Sequence, residues 1–216
     1  MPMQRRESCA QGWGTAVNGE QTVAATDADG AMIARFLAGD RAAFDSLFWK
    51  YQDYVYNIVH GIVGSAEDAR DVTQEVFVQV YRSLPKFRRG SRFATWLYRI
   101  AVNRAVDCAR ATRGKKGLPL DETLKASADP DQNPLLAATR RVDEDAVQQI
   151  LMLLPVQHRN VLVLRYFQGL SVEELAEVVG CSVTAAKVRL HRARLHFKEK
   201  YRAVFGQDKG GGEPLP

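Results

Sequence analysis

Three carboxylates stand at helical spacing in the first half of the chain. Asp68, Asp71 and Glu75 fall three and four residues apart, with Gln74 beside them, so they share one helix face. Paired carboxylates can act as general acid and base, but that role requires a pocket and a nucleophile or metal partner. The sequence indicates neither. A solvated helix face and a docking surface for a basic protein partner therefore remain open beside catalysis.

Aromatic and basic residues are interleaved in the segment FRRGSRFATW, residues 87–96. Exposed rings stack on unpaired bases while cationic groups follow the phosphates, so this composition is typical of a surface for single-stranded nucleic acid. Phe93 shares one helical side with Leu97 and Ile100 and is expected to pack in the core; Trp96 is left open. Polar side chains at spacings of seven, four and seven can then track a strand: Arg92, Arg99, Asn103 and Arg110.

The stretch LSVEELAEVVGCSVTAAKVRLHRARLHF, which begins at Leu170, predicts two helices joined by a tight turn. Ser171 and Glu174 form a capping-box pattern, Gly180 stands where the first helix must end, and Ser182 can cap the second. This is the layout of a helix-turn-helix whose second helix enters the major groove. The alternative is a helical hairpin with a merely solvated basic face. The second helix is expected to bury Val183, Ala186 and Leu190.

The net charge of +5 and the isoelectric point near 9.2 are compatible with a polyanionic partner, but the distribution of charge is more informative. Residues 182–202 hold seven basic side chains and one acidic, and residues 82–116 hold eleven and one. Between these clusters, residues 118–134 hold four acidic side chains and one basic. The sequence thus predicts an acidic tether between two basic domains.

Apolar residues repeat at helical spacing from Ala31 to Arg113 and predict four helices in a compact bundle. Gly64 is expected to close the second helix, Ser65 to cap the third and Pro85 to end it. We expect an all-α chain with two small helical domains joined by a flexible linker. The expected divisions are a disordered extension (1–28), the bundle (29–113), the acidic linker (114–141), the helix-turn-helix domain (142–204) and a disordered tail (205–216).

Cysteine and histidine spacing argues against a metal centre or a disulfide framework. Cys9, Cys108 and Cys181 form no CxxC pattern, so a reducing cytoplasm is the expected location. We expect no cofactor, no metal ion and no catalytic residue. No apolar run approaches the roughly 20 residues that a membrane span needs.

Several consecutive motifs together resemble a bacterial RNA polymerase sigma factor of the extracytoplasmic-function (ECF) subfamily of the sigma-70 family. Region 2 is carried by ARFLAGDRAAFDSLFWKY, DARDVTQEVFVQVY and FATWLYRIAVNRAVDCAR. Region 4 is carried by LPVQHRNVLVLRYFQGLSVEELAEVVGCSVTAAKVRLHRAR, with no third domain between them. The resemblance spans about residues 30–200.

The resemblance implies roles for individual residues of this chain. The helix with the DVTQE motif would dock on the clamp helices of the polymerase largest subunit through Asp68, Asp71, Gln74 and Glu75. The minus-10 element would be recognised and melted by Lys86, Phe87, Arg88, Ser91, Arg92, Trp96, Arg99, Asn103 and Arg104. The minus-35 element would be bound by Ser182, Thr184, Lys187, Val188, Arg189, His191 and Arg192.

The resemblance also implies partners and a mechanism. Core RNA polymerase and promoter DNA would be obligatory partners, and an anti-sigma protein covering both domains is common in this family. The acidic tether would thread toward the active-centre channel and the RNA exit path. Two rivals remain: a helix-turn-helix regulator that binds duplex DNA without polymerase, and an enzyme that uses Asp68, Asp71 and Glu75, for which no complete site is visible.

Overall fold

The computed structural model describes residues 21–87, 91–115 and 144–205, and every regular element in those ranges is helical. The first domain holds α1 (Gln21–Leu37), α2 (Ala42–Val63), α3 (Ala66–Ser83), a 3-10 turn (Leu84–Lys86) and α4 (Phe93–Lys115). The second domain holds α5 (Glu144–Met152), α6 (Val156–Leu162), a π-helical turn (Val163–Phe167), α7 (Val172–Val179) and α8 (Val183–Phe205).

Local signals set the ends of the bundle helices as the sequence predicts. Gly64 adopts φ +88° and ends α2, a left-handed conformation that favours glycine. Ser65 then accepts a hydrogen bond from the backbone N–H of Asp68 and caps α3. The apolar sides of α2, α3 and α4 pack together, and their most buried residues include Leu47, Val55, Ile58, Val76, Val80 and Leu97.

Helix α1 begins at Gln21, so the expectation of a disordered extension through residue 28 is wrong for its last eight residues. Residues 21–28 contain neither glycine nor proline to stop a helix, and their mixture of small apolar and polar residues shows no helical periodicity. Asp29 is 3% exposed and accepts hydrogen bonds from the Tyr51 hydroxyl at 2.5 Å and from Lys50 Nζ at 2.6 Å. These two hydrogen bonds to a buried carboxylate attach α1 to α2.

Burial, followed by the bond to Asp29, raises the pKa of the Tyr51 phenol, so this group stays a donor throughout the physiological pH range. Helix α4 also extends past residue 113, the expected end of the bundle, to Lys115. Residues 1–20, the linker from 116 to 141 and the tail from 206 onward lie outside the described residues, as does Arg88. No described helix is both long and apolar enough to cross a membrane.

Arg159 organises the second domain from within. Its guanidinium is 3% exposed and donates to the carbonyls of Leu151 (2.8 Å), Met152 (3.1 Å) and Leu154 (3.0 Å). A buried cation is tolerated only when its donors are satisfied, and here they join the end of α5 to the loop before α6. Arg159 also donates to the carbonyl of Ile62 in α2.

The two domains pack against each other, which the sequence did not predict. Their buried apolar residues form one continuous cluster rather than two separate cores. Gly61 of α2 lies so close to the π-helical turn that an added Cβ would stand 2.8 Å from Val163 Cγ2. Gln148 of α5 donates to the carbonyl of His60 at 3.0 Å. The second domain therefore packs against the carboxyl end of α2.

Candidate functional site

The carboxylates of α3 lie on an open helix face. Asp71, Gln74 and Glu75 are exposed, while Asp68 is half-buried in the first turn beside its cap. The opposite side of α3 packs into the bundle through Ala69, Val72 and Val76. General acid–base chemistry depends on a recess that shields the groups from water, and an exposed convex face does not supply one. This geometry suits a protein contact better than catalysis.

Val78 adds an apolar group to the same face, and the sequence argument missed it. It stands three and four residues after Glu75 and Gln74 and is 50% exposed. A single apolar side chain among charged neighbours is typical of a protein-binding surface, where it contributes a desolvated contact. The position of Val78 on the polar side of α3 could have indicated its exposure. The other valines of α3 made it look like one more residue of the buried side.

Three aromatic rings cluster at the start of α4. Phe87 lies 5.0 Å from Trp96 and 5.9 Å from Phe93, and Phe93 lies 5.8 Å from Trp96, measured between ring centroids. Phe93 is 4% exposed and belongs to the core, as the sequence predicts. Phe87 and Trp96 are half-buried. The outer edges of these two rings are accessible, while their inner edges pack against the core. The two rings therefore form a stacking surface with little conformational freedom.

The polar stripe that begins at Arg92, just before α4, is exposed, but two of its arginines contact the second domain. Arg92 Nη1 lies 2.9 Å from Glu174 Oε1, and Arg99 donates to the backbone carbonyl of Glu177. Arg104 donates to the Gln79 side chain of α3 at 2.9 Å. Neither contact across the domains could be found from spacing within the helix. The exposed polar members of the predicted surface are Lys86, Arg92, Arg99, Asn103 and Arg104, and Ser91 is half-buried.

The helix-turn-helix forms as its local signals predict. The Ser171 hydroxyl accepts from the Glu174 N–H at 3.1 Å, and the Glu174 carboxylate accepts from the Ser171 N–H at 2.9 Å, which completes the capping box. Gly180 adopts φ +74° and ends α7. The Ser182 hydroxyl accepts from the N–H of Ala185 at the start of α8. These bonds fix the angle between α7 and α8.

Helix α8 presents most of its predicted DNA-binding residues to solvent. Ala186 and Leu190 are buried as expected, but Val183 is 36% exposed, because it lies in the first turn beyond the reach of the core. An open cavity of about 490 Å³ lies beside the start of α8 and brings together Ser182, Thr184, Val188, Arg189, Arg192 and His158. Ser182, Thr184, Lys187, Val188 and Arg192 are exposed, and Arg189 and His191 are half-buried.

A pair of histidines joins α6 to α8. His158 Nδ1 of α6 and His196 Nδ1 of α8 are 2.8 Å apart, so one ring donates and the other accepts. Burial lowers the pKa of His158 to about 4, with further contributions from His196, Arg189 and Arg192. A protonated His158 would lie beside Arg189 and Arg192, so the neutral ring of His158 stabilises the position of α8.

We expect the free energy of unfolding to fall as the pH is lowered from about 6.5 to about 4. The unfolded imidazole titrates near its ordinary pKa of about 6.5, so the unfolded chain binds the proton first, and stability is lost through this interval. For this half-exposed group, screening limits the loss to on the order of 1 kcal/mol. Urea unfolding of wild type and His158→Asn at pH 7 and pH 5 measures it. Identical pH dependence in both proteins would contradict this role.

Two family models match the chain and divide it as the fold does. Sigma-70 region 2 matches residues 47–115, and Sigma-70, region 4 matches residues 144–197. The first match covers most of α2 and all of α3 and α4, with the acidic face and the aromatic cluster. The second covers α5 to α8 with the helix-turn-helix.

The chain matches curated relatives over most of their own length. The chain is 38% identical over 174 residues to the RNA polymerase sigma-H factor of Pseudomonas aeruginosa, covering 77% of this chain and 90% of that protein. It is 35% identical over 192 residues to the ECF RNA polymerase sigma-E factor of Escherichia coli K12, covering 82% and 96%. The ECF sigma factor SigW of Bacillus subtilis is 31% identical over 179 residues, covering 79% and 95%.

Solved structures share the fold. The structure of CnrH in complex with the cytosolic domain of CnrY aligns with a TM-score of 0.60 at 25% identity, covering 84% of this chain and 99% of that one. The sigma factor RpoE of Bartonella quintana, in complex with the anti-sigma factor NepR, aligns with a TM-score of 0.55 at 19% identity, covering 74% and 96%. By its two matched regions and its relatives, the chain belongs to the ECF group of the sigma-70 family of RNA polymerase sigma factors.

Proposed function

We propose that this sigma factor divides binding of core polymerase, promoter recognition and DNA melting among three surfaces of its two domains. The first domain comprises α1 to α4, and the second comprises α5 to α8. The observation that carries the proposal is the presence in one chain of an exposed acidic helix face, an aromatic cluster bordered by arginines and a helix-turn-helix with a basic outer face.

The α3 face docks on core RNA polymerase. Asp71, Gln74 and Glu75 present acceptors to a basic partner, Val78 supplies an apolar contact beside them, and Asp68 borders the face. Electrostatic complementarity of this kind sets the rate and specificity of association more than its final affinity. The clamp helices of the largest polymerase subunit are the partner that this surface fits by family resemblance.

The start of α4 captures the melted minus-10 element. Phe87 and Trp96 form a supported stacking surface, and a base on either ring contributes on the order of 1 to 3 kcal/mol. Melting then follows from preferential binding of unpaired bases, and the chain needs no nucleotide hydrolysis. Basic and polar side chains hold the strand around the rings: Lys86, Arg88, Ser91, Arg92, Arg99, Asn103 and Arg104.

The outer face of α8 binds the minus-35 element as a duplex. Lys187 and Arg192 are placed to contact phosphates and base edges, and Val188 offers an apolar contact for a thymine methyl group. The cavity beside the first turn of α8 provides room for the sugar-phosphate backbone. The remaining members of this surface are Ser182, Thr184, Arg189 and His191.

Polymerase turns two weak contacts into one strong contact. Each basic domain alone binds promoter DNA weakly, but a docked chain holds both at a fixed separation, so the second contact is made at high effective concentration. The docked chain therefore selects promoters whose two elements have the matching separation. The acidic linker between the domains follows the path of nucleic acid through the enzyme. Such a chain works in the cytoplasm, beside the polymerase and its template.

An anti-sigma protein is the expected regulator. Two solved structures with this fold contain bound partners: the Bartonella quintana RpoE structure contains the anti-sigma factor NepR, and the CnrH structure contains the cytosolic domain of CnrY. A partner that covers α3 or α8 would block polymerase or the minus-35 element directly. This chain would then be held inactive until the partner is removed.

Site-specific crosslinking tests the placement of the three surfaces. A photoreactive amino acid in place of Gln74 should crosslink to the largest polymerase subunit, and one in place of Val188 should crosslink to promoter DNA only when core polymerase is present. The same group in place of the exposed Asp53 of α2 is the matched control. Equal crosslinking of DNA at position 188 without polymerase would favour a helix-turn-helix regulator that acts alone.

A further inference from the structure

Asp29 of α1 is a buried carboxylate that none of the three proposed surfaces uses. It is 3% exposed, and its two oxygens accept hydrogen bonds from the Tyr51 hydroxyl at 2.5 Å and from Lys50 Nζ at 2.6 Å. Burial of a charged group is costly unless the charge is paired and hydrogen-bonded. Lys50 supplies the opposite charge while its side chain stays 33% exposed. The carboxylate is therefore satisfied, and it holds one aromatic side chain of the core, that of Tyr51.

The bond to Asp29 fixes the orientation of the Tyr51 ring. Tyr51 is 5% exposed, and its hydroxyl donates to a charged acceptor. Charge-assisted hydrogen bonds are shorter and roughly twice as strong as neutral ones, so the phenol is held at its hydroxyl end as well as along its ring. Lys50 Nζ also lies 5.2 Å from the centre of the ring, where a cation and an aromatic face attract each other. The ring is thereby restrained more firmly than packing alone would restrain it.

The Tyr51 ring packs against α4 at two residues that flank Trp96 in the sequence. Its centroid lies 5.4 Å from that of Phe93 at an interplanar angle of 67°, and 6.4 Å from that of Tyr98 at 76°. Both contacts are edge-to-face, an arrangement whose energy depends on the orientation of both rings. A rotation of the Tyr51 ring is therefore transmitted to Phe93 and Tyr98.

Phe93 in turn supports both rings of the proposed stacking surface. Its centroid lies 5.9 Å from that of Phe87 and 5.8 Å from that of Trp96. Phe87 follows the 3-10 turn and precedes α4, so contacts between rings, rather than a helical backbone, fix the position of its side chain. A binding surface requires residues behind it that hold its geometry to within about 0.5 Å. The contacts that lead from Asp29 through Tyr51 to Phe93 supply this support.

We propose that Asp29 is a positioning residue for promoter melting: through the Tyr51 hydroxyl it holds the Phe93 ring, and thereby Phe87 and Trp96, in place to stack on unpaired bases. Asp29 itself lies in the core and is shielded from DNA. This inference rests on the proposed role of the start of α4 in melting. Helix α1, which carries none of the three surfaces, thereby has a role in melting.

Three substitutions isolate the bond between Asp29 and Tyr51. Asp29→Ala removes both acceptor oxygens, Tyr51→Phe removes only the hydroxyl, and Asp29→Asn keeps one carbonyl oxygen that can accept from Tyr51. With core polymerase, we expect about threefold fewer open complexes for Asp29→Ala and Tyr51→Phe, and less than about a twofold loss for Asp29→Asn, because stacking is weakened and not removed. Permanganate footprinting measures these complexes. Closed complexes, measured by gel shift at low temperature, should match wild type.

Ile33→Ala is the matched control for loosening of α1. Ile33 lies one turn after Asp29, is 4% exposed and packs in the same core. Its truncation weakens the attachment of α1 and leaves the Tyr51 hydroxyl bonded to Asp29. Thermal unfolding should show that Ile33→Ala destabilises the chain at least as much as Tyr51→Phe, while its open complexes match wild type. A loss of open complexes equal to that of Tyr51→Phe would overturn the proposal, since general stability would then explain both results.

A double variant tests whether Asp29 acts through Tyr51. Asp29→Ala/Tyr51→Phe should lose no more open complexes than Tyr51→Phe alone, because both substitutions break the same bond. Losses that add in the double variant would show that Asp29 acts by another route and would overturn the proposal.

Fluorescence reports the mobility of the stacking surface directly. The chain has three tryptophans, so Trp13→Phe/Trp49→Phe leaves Trp96 as the single tryptophan. In this background, Asp29→Ala and Tyr51→Phe should increase the fast component of the Trp96 anisotropy decay, and Ile33→Ala should not. A decay that is unchanged in Asp29→Ala and Tyr51→Phe would contradict a positioning role.

Trp96→Ala distinguishes failure of this inference from failure of the proposed function. If Trp96→Ala forms open complexes as wild type does, the start of α4 does not capture bases, and the proposed function is contradicted. If Trp96→Ala loses open complexes while Asp29→Ala and Tyr51→Phe retain them, the proposed function stands and only the role of Asp29 is wrong.

Discussion

Reversing two charges on α3 abolishes binding to core RNA polymerase while both domains stay folded. In Asp71→Arg/Glu75→Arg, cations replace exposed carboxylates at the centre of the proposed docking face. Like charges brought together across an interface cost several kcal/mol, so we expect the dissociation constant to rise by on the order of 100-fold or more. Fluorescence anisotropy with labelled protein and core enzyme measures the change.

A matched variant separates this effect from a change in total charge. Asp53→Arg/Glu199→Arg makes the same change in net charge at exposed positions of α2 and α8 that no proposed surface uses. It should bind core polymerase within about twofold of wild type. Similar losses in both double variants would show that long-range charge, rather than the α3 face, governs docking.

Truncating Trp96 reduces DNA melting more than it reduces promoter binding. Its ring lies 5.0 Å from Phe87 and 5.8 Å from Phe93, so Trp96→Ala removes one stacking surface and loosens its neighbour. The loss of about 1 to 3 kcal/mol per stacked base predicts at least a fivefold reduction in open complexes. Permanganate footprinting reports the open complex, and a gel shift at low temperature reports the closed one.

Trp49→Ala is the control for this truncation. Trp49 is 68% exposed on α2 and lies outside the aromatic cluster of α4, so its removal should leave melting unchanged. Thermal unfolding of both variants identifies any loss of stability. Equal losses of open and closed complexes in Trp96→Ala would show that the ring stabilises the fold and does not capture bases.

Features that depend on nearby residues were predictable from the sequence. The cap at Ser65, the capping box of Ser171 with Glu174 and the turn at Gly180 each form within four residues, so the sequence pattern contains the whole interaction. The burial of Phe93 followed from its spacing to other apolar residues. The helix-turn-helix and the exposed acidic face of α3 were accessible for the same reason.

Features that depend on distant residues were not predictable in this way. Asp29 anchors α1 through Lys50 and Tyr51, more than twenty residues away, and the sequence before it shows no helical periodicity. Arg159 resembles any surface arginine in the sequence, yet its donors bind carbonyls in two domains. Spacing reveals which residues share a face, but it does not reveal what covers that face.

The contact between the domains also depends on residues that are distant in the sequence. The sequence predicts two helical regions joined by an acidic tether, but periodicity within each region cannot indicate that Gly61 meets Val163. The exposure of Val183 illustrates the limit within one element, because apolar spacing assigned it to the core beside Ala186 and Leu190. A residue in the first turn of a helix can satisfy the pattern and still extend beyond the packed surface.

The most direct test of the account is transcription in vitro by core RNA polymerase on a promoter library, with and without the purified chain. We predict transcripts that appear only when the chain is present and whose start sites share a minus-10 and a minus-35 element at fixed spacing. Asp71→Arg/Glu75→Arg should abolish them, and Asp53→Arg/Glu199→Arg should not. An identical set of transcripts with and without the chain would contradict its assignment as a promoter-specificity subunit.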